Sequence, residues 1–295
     1  MRIPAIIMIP EGPNKGHLLA FCECGQPHAM ESPAGTVDTG CDICSKSSHT
    51  DGKTWGPLQV VVKNSSQPSP VYNSVAKTIV MNFNGAPLPH IPHHCLTPTP
   101  PPPPHRSPGR LTALVSLAGA PHCMDETMGC GFNQQMISSD DGKSWSSPTP
   151  IDQFLGDKGH AAAGPGRGLE LTQGPHKNRL LFIGHRGAYV QDSVWWTDDG
   201  GKTYTASDTV LDKMDEAQLV ENLNGTIIAN MRHAHSPTMG RGVATSTDGG
   251  KSFGPIAYDK QLVASVCQAT IIRSAQNGSA SPPFCQSPGT DAWPS

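Results

Sequence analysis

Ser138-Ser139-Asp140-Asp141-Gly142-Lys143-Ser144-Trp145 has three relatives in the same chain. They are Ser48-His49-Thr50-Asp51-Gly52-Lys53-Thr54-Trp55, Thr197-Asp198-Asp199-Gly200-Gly201-Lys202-Thr203-Tyr204 and Ser246-Thr247-Asp248-Gly249-Gly250-Lys251-Ser252-Phe253. The common template is Ser/Thr-x-Asp-x-Gly-x-Ser/Thr-aromatic, with Thr50 in place of Asp in the first copy. Such a segment is a self-contained hairpin turn. The Asp side chain accepts hydrogen bonds from the N–H groups that follow it, and Gly supplies a backbone position at φ > 0. The aromatic residue then anchors the turn between neighbouring sheets. Fixed repetition of one turn is the signature of a repeated β unit.

Composition points the same way. The 295 residues include 31 Gly and 29 Pro, about a fifth of the chain, and only 15% are charged. That much turn chemistry excludes a helical bundle and favours many short strands. A net charge of −3 leaves no chain-wide basic signature, so no nucleic-acid partner is expected. No run of 18 apolar residues predicts a spanning helix. The residues from Met1 through Ile3-Pro4 read as a strand, not as a signal peptide.

The four copies begin at residues 48, 138, 197 and 246, at intervals of 90, 59 and 49. The long first interval contains the segment Gly85 to Arg110, with five consecutive prolines from Pro100 to Pro104 and His90, His93, His94 and His105. It favours polyproline II, lacks core side chains and reads as an insertion. Without it the first interval suits a four-stranded propeller blade. Apolar strands are expected at 77–81, 111–115, 179–184 and 226–230, the last entered through Asn224-Gly225. Residues 276–295 are rich in Ser, Gly, Pro and Gln and read as a disordered tail.

Nine cysteines is an odd number, so they cannot all pair within the chain. Cys22-x-Cys24 and Cys41-x-x-Cys44 have a spacing that a zinc ion could use, but Leu18 to Cys22 reads as a buried strand, and small buried apolar cysteines are the expectation. Three sequons, at Asn64, Asn224 and Asn277, matter only in a secreted or lysosomal protein.

With these repeats in view, the chain resembles the sialidase family, whose Asp boxes the four turns are similar to. Arg2-Ile3-Pro4-Ala5 resembles the family's Arg-Ile-Pro motif. Asp215-Glu216-Ala217-Gln218-Leu219, with Asn224-Gly225 and Asn230-Met231-Arg232, is similar to its Glu-x-Gln, turn and Asn-x-Arg progression. The segment from Gly164 to Gly168 and on through Arg179-Leu180-Leu181 also looks like the family. The match covers residues 1–275, with spacing nearest to animal-type, lysosomal-like members.

The resemblance implies an all-β, six-bladed β-propeller, present here as about four blades over residues 1–275, with the insertion at 85–110. It implies an exo-α-sialidase that removes terminal α-linked sialic acids from glycoproteins, oligosaccharides and gangliosides, with retention and with neither metal nor organic cofactor. Planar guanidinium groups suit the sugar's carboxylate, and the family uses three. Arg2 and Arg232 resemble the first two, with Arg241 an alternative to Arg232. Glu216 resembles the base that activates a tyrosine nucleophile, and Asp38 the general acid/base, with Glu31 and Asp42 as alternatives. Glu23 resembles a substrate-pocket carboxylate.

Two departures stand out. Gly25 stands where the family has an Arg, and none of Tyr72, Tyr189, Tyr204 and Tyr258 sits in a motif like that of the nucleophile. The expectation is therefore a sialidase lacking its final blades, with little turnover. The alternative is a non-catalytic Asp-box propeller that binds glycans or protein partners. By resemblance the compartment is lysosomal or cytoplasmic, with peripheral membrane contact through ganglioside substrates.

Overall fold

The computed structural model describes residues 2–25, 41–85, 132–156, 161–186, 191–233, 239–264, 267–276 and 279–286. The first sheet is a meander of β1 (Arg2–Met8), β2 (Leu18–Cys24), β3 (Asp42–Ser48) and β4 (Gln59–Val62). The second follows as β5 (Ser65–Asn73), β6 (Thr78–Gly85), β7 (Phe132–Ser138) and β8 (Thr149–Pro150). A single-turn helix, α1 (Asp152–Leu155), leads to β9 (Ala162–Ala163) and β10 (Leu169–Glu170). Both of these pair with β11 (Leu180–Arg186), and β12 (Gln191–Thr197) and β13 (Thr205–Asp212) complete the third sheet. The fourth is β14 (Met214–Glu221), β15 (Ile227–His233), β16 (Arg241–Ser246) and β17 (Ala257–Asp259). A two-stranded sheet, β18 (Thr270–Gln276) with β19 (Ser279–Gln286), comes last.

This is a β-propeller arrangement with four blades. Sheet alternation explains the stacking, since successive side chains along a strand point to opposite faces. In β1, Ile3, Ala5 and Ile7 are buried while Ile6 and Met8 are exposed. Ala5 and Ile7 meet Tyr72, Ile79, Met81 and Phe83 of the second sheet. Val71 and Val80 of that sheet face Leu180, Phe182 and Trp195 of the third. Leu181, Ile183 and Trp196 face Leu219, Ala229 and Met231 of the fourth. At roughly 1.5–3 kcal/mol for each large side chain fully buried, these three inter-sheet seams supply the driving force. Between sheets, β5 packs against β1, and β14 packs against β11 and β18.

Each repeated turn follows the third strand of its sheet, leaving from Ser48, Ser138, Thr197 and Ser246. The bonding repeats as well. Ser138 Oγ accepts the Gly142 N–H at 2.8 Å, and Asp140 takes the Ser144 N–H at 2.8 Å and its hydroxyl at 2.5 Å. Thr197, Asp199, Gly201 and Thr203 make the same set, as do Ser246, Asp248, Gly250 and Ser252. In the first copy Thr50 Oγ1 accepts the Thr54 N–H at 2.9 Å in place of a carboxylate. Gly142 and Gly201 have φ of 82° and 97°, a region that β-carbons disfavour.

The turns also join sheets. Gln59 donates to the Lys143 carbonyl at 3.0 Å and Gln135 to the Gly201 carbonyl at 2.5 Å. Arg179 donates to the Gly249 carbonyl at 2.9 Å. Every such bond runs from one sheet to the turn of the next.

Four expectations are corrected or fall outside the described residues. Gly85, expected to open the insertion, is the last residue of β6 and pairs with Phe132; residues 86–110 lie outside the described set, as does the strand expected at 111–115. The tail expected from 276 onward contains strand β19, in register with β18 from Thr270↔Gln286 to Gln276↔Ser279. Cys24 and Cys44 are not small free thiols but a disulfide, with Cα atoms 5.8 Å apart on adjacent strands, and Cys41 is disulfide-bonded too.

Candidate functional site

Register fixes which end of each sheet carries chemistry. In the first sheet Ser48 pairs with Leu18, whereas Arg2 pairs with Glu23 and Cys24 with Asp42 at the other end. In the fourth, Ser246 pairs with Ile227, whereas Asp215 pairs with Arg232 at the other end. Arg2, Glu23, Asp215, Glu216 and Arg232 therefore stand at the strand ends opposite the repeated turns.

The centre of this group is built by β14 and β15. Their register slips between Asp215 and Ala217, a bulge of the kind that re-aims consecutive side chains. Arg232 Nη1 donates to Glu216 Oε2 at 2.6 Å and lies 3.1 Å from Asp215 Oδ2. Asp215 Oδ1 accepts the Glu216 N–H at 2.7 Å. One guanidinium thus bridges two adjacent acids, and the backbone between those acids is tied to one of them.

Behind the pair lies a buried polar layer from the third sheet. His185 on β11 and Asp192 on β12 face each other in register, and His185 Nδ1 is 3.9 Å from Asp215 Oδ1. Burial pushes Asp215 up to about 7, against the opposing pull of Arg232 and with the Glu216 charge adding to the rise. Burial raises Asp192 well above the usual carboxylate range, helped by the Asp215 charge. Burial lowers His185 to about 4, so its imidazole is neutral at pH 7. In a low-dielectric site, neighbouring acids cannot all be charged without cost. The deeper carboxyls of Asp215 and Asp192 therefore hold their protons to higher pH than an ordinary carboxylate does.

The remaining expected residues fall as follows. Arg2 begins β1. Glu23 is buried and accepts the Gln67 N–H at 3.1 Å, between the first and second sheets. Asp38 and Glu31 lie outside the described residues. Asp42, the other alternative for the acid, accepts the Asn64 N–H at 3.0 Å and so holds the link from β4 to β5. Arg241 is wholly buried, with Nε donating to Asn230 Oδ1 and Nη1 to the Cys267 carbonyl at 3.4 Å. Of the two arginines weighed, it is Arg232 that touches Glu216. Tyr72 and Tyr204 are core residues, the Tyr204 hydroxyl donating to Gln135 at 2.7 Å. Tyr258 packs against His233, and Tyr189 lies outside the described residues.

A groove of about 820 Å³ opens between the first sheet and β18. Pro4, Ile6 and Met8 line one wall, Ile272 the other, and Arg167 and Gln218 its inner side. Arg167 is shifted down by burial and by the nearby Arg273 cation. The groove is mostly apolar, and neither Glu216 nor Arg232 is part of its lining.

The sequence motifs include Asp215 within Asp215-Glu216-Ala217-Gln218-Leu219 but neither Asp192 nor His185. Nothing in the sequence alone marked His185.

Stacked antiparallel sheets with an acid–arginine cluster at one end define a β-propeller with a polar site at that end. No protein-family model matches the chain. A sialidase of Micromonospora viridifaciens is 30% identical over 288 residues, which are 92% of this chain and 39% of that protein. A sialidase of Bacteroides fragilis is 31% identical over 138 residues, 46% of this chain and 25% of that one. The chain thus spans well under half the length of these curated relatives. Among solved structures, the intramolecular trans-sialidase of Ruminococcus gnavus, in complex with oseltamivir carboxylate, superposes with a TM-score of 0.67. It is 14% identical, over 95% of this chain and 75% of that one, a likeness of fold. The chain is thus similar in sequence to part of these sialidases and in fold to the trans-sialidase.

Proposed function

We propose that the chain is the propeller of an exo-α-sialidase, a glycoside hydrolase that releases terminal α-linked sialic acids. The observation that carries this reading is the 2.6 Å contact between Arg232 and Glu216 at the end of the sheets opposite the turns. A sialic acid brings a carboxylate on its anomeric carbon, and a guanidinium already poised between acids can turn a pair of N–H groups to it. Arg232 and Arg2 take the role of carboxylate clamp and Glu23 that of a pocket wall. Asp38 serves as general acid/base. Glu216 is the base for a tyrosine nucleophile in a retaining reaction, because a neutral phenol avoids the repulsion that an anionic carboxylate would meet. The chemistry needs no metal or organic cofactor. Glycoproteins, oligosaccharides and gangliosides are the substrate classes, the last bringing the protein to membrane surfaces. The animal-type subtype rests on motif spacing alone. A lysosomal compartment accords with the Cys24–Cys44 disulfide better than the cytoplasm does.

One observation favours a second reading, a propeller that binds sialylated glycans without cleaving them. Tyr72 and Tyr204 are packed in the core and Tyr258 rests on His233, so none of these three stands beside Glu216 as a nucleophile. Little turnover by this chain is the corresponding expectation.

The test pairs a fluorogenic α-sialoside with titration of free sialic acid. Turnover that disappears in Glu216→Gln supports the hydrolase. Sialic acid binding lost in Arg232→Ala, without turnover, supports the second reading. Neither turnover nor binding by a folded protein overturns both.

A further inference from the structure

The hairpin between β14 and β15 ends in Asn222-Leu223-Asn224-Gly225-Thr226. Asn222 and Thr226 close it through an N–H to carbonyl bond of 2.8 Å, and the Gly225 N–H donates to the Asn222 carbonyl at 3.0 Å. Asn224 is exposed at the tip. Its Oδ1 accepts the Thr226 N–H at 3.1 Å. This is an Asx turn. The turn engages Oδ1, not Nδ2, of the Asn-x-Thr triplet, and the side-chain carbonyl is polarised by the residue that carries the required hydroxyl.

We propose that Asn224 is the acceptor of an N-linked oligosaccharide. The co-reactant is a lipid-pyrophosphate-linked oligosaccharide. Asn224 Nδ2 bonds to the anomeric carbon of the donor's first sugar and gives up one proton. The bond from that carbon to the lipid pyrophosphate breaks, and the pyrophosphate leaves with the electron pair.

Two observations besides the triplet support the assignment. The first is the redox state of the fold: Cys24 and Cys44 are bonded to each other, and Cys41 is disulfide-bonded as well. Such bonds form and persist in oxidising compartments, where the glycosylating machinery also works. The second is position. The hairpin lies at the end of the fourth sheet that carries Ser246 and its turn, opposite Asp215 and Arg232. An oligosaccharide there extends from the far rim and leaves the Glu216 side open, whatever that side binds. The sequon at Asn64 lacks this arrangement. Ser66 is buried in β5, and the Asn64 backbone sits at a φ of 50° with its N–H given to Asp42.

The experiment expresses the full chain through the secretory route of a eukaryotic host and analyses the tryptic peptide from Met214 to Arg232. That peptide contains a single sequon. The expected result is a hexosamine-containing glycan on Asn224, with conversion of Asn224 to aspartate by peptide N-glycosidase. The glycan should be lost in Asn224→Gln and Thr226→Ala and kept in Thr226→Ser, and the wild-type peptide is decisive even where a variant folds poorly. An unmodified Asn224 in secreted protein overturns the proposal, whether Cys24 and Cys44 are oxidised or reduced. A glycan that persists in Thr226→Ala overturns it too.

Discussion

Asp215 and Arg232 face each other in register across β14 and β15, with Nη1 of the arginine 3.1 Å from Oδ2 of the acid. The carboxyl has no exposed surface, and its burial outweighs the nearby cation, raising it to about 7. An aspartate in an unfolded chain ionises near about 3.9. Between those values the folded state binds the extra proton, so the Asp215 contribution to stability is full below about pH 4 and is lost as pH rises through 7. Urea midpoints of wild type and Asp215→Asn should therefore converge, or reverse order, on going from pH 5 to pH 7.5. His185 shifts in the opposite sense but is common to both proteins. Parallel curves would show that Asp215 titrates normally.

The first repeated turn contains its own test. Thr50 Oγ1 accepts the Thr54 N–H at 2.9 Å and lies 2.7 Å from the Thr54 hydroxyl, positions that both oxygens of a carboxylate take in the other three copies. Thr50→Asp should stabilise the protein by about 0.5–1.5 kcal/mol, a rise in Tm of about 2–4 °C per kcal/mol. The converse change, Asp140→Ala, should cost about 1–3 kcal/mol. The Ser144 hydroxyl holds Asp140 below its ordinary value, so this turn's contribution is present above that value and lost in acid. An unchanged or lower Tm for Thr50→Asp would show that the first turn does not tolerate the carboxylate.

The four turns made the fold legible, because their Asp, Gly and aromatic residues perform one local task that needs no tertiary context. Glu216 and Arg232 were legible for a different reason: their sixteen-residue separation spans one hairpin and returns them to facing strands. Asp192 and His185 were not, because they meet Asp215 only when the third and fourth sheets stack. The Cys24–Cys44 bond was missed because strand pairing puts Cys22, not Cys24, opposite Cys44; the bond runs diagonally. The strand Ser279–Gln286 was hidden by its prolines, which suit an outer strand with few ladder partners.

Arg179 forms a paired bond to Asp198 at 2.8 and 2.9 Å, donates to the Gly249 carbonyl and stacks 4.5 Å from the Trp196 ring. Lysine offers one ammonium where a planar fork is required. Arg179→Lys should cost about 1.5–3 kcal/mol by urea denaturation. Asp198→Asn should cost less, since that carboxylate is 59% exposed. A loss below about 0.5 kcal/mol in Arg179→Lys would reduce the contact to an ordinary surface ion pair.

A β-carbon on Gly184 would stand 2.2 Å from the Ala162 carbonyl and 2.8 Å from the Trp195 ring. Both neighbours are fixed, one by its pairing with β11 and the other by the core. Gly184→Ala should cost about 1–3 kcal/mol or more and release β9, seen as faster hydrogen exchange at Ala162 and Ala163. Unchanged exchange there would mean that the third sheet absorbs the methyl group by shifting as a whole.

The bonds from Gln59 to Lys143, from Gln135 to Gly201 and from Arg179 to Gly249 each reach one sheet forward and no further. A structure coupled only to its neighbours loosens in sequence, not all at once. Held at its ends in an optical trap, the molecule should lengthen in discrete steps, each releasing one sheet and the turn that the sheet before it had been holding.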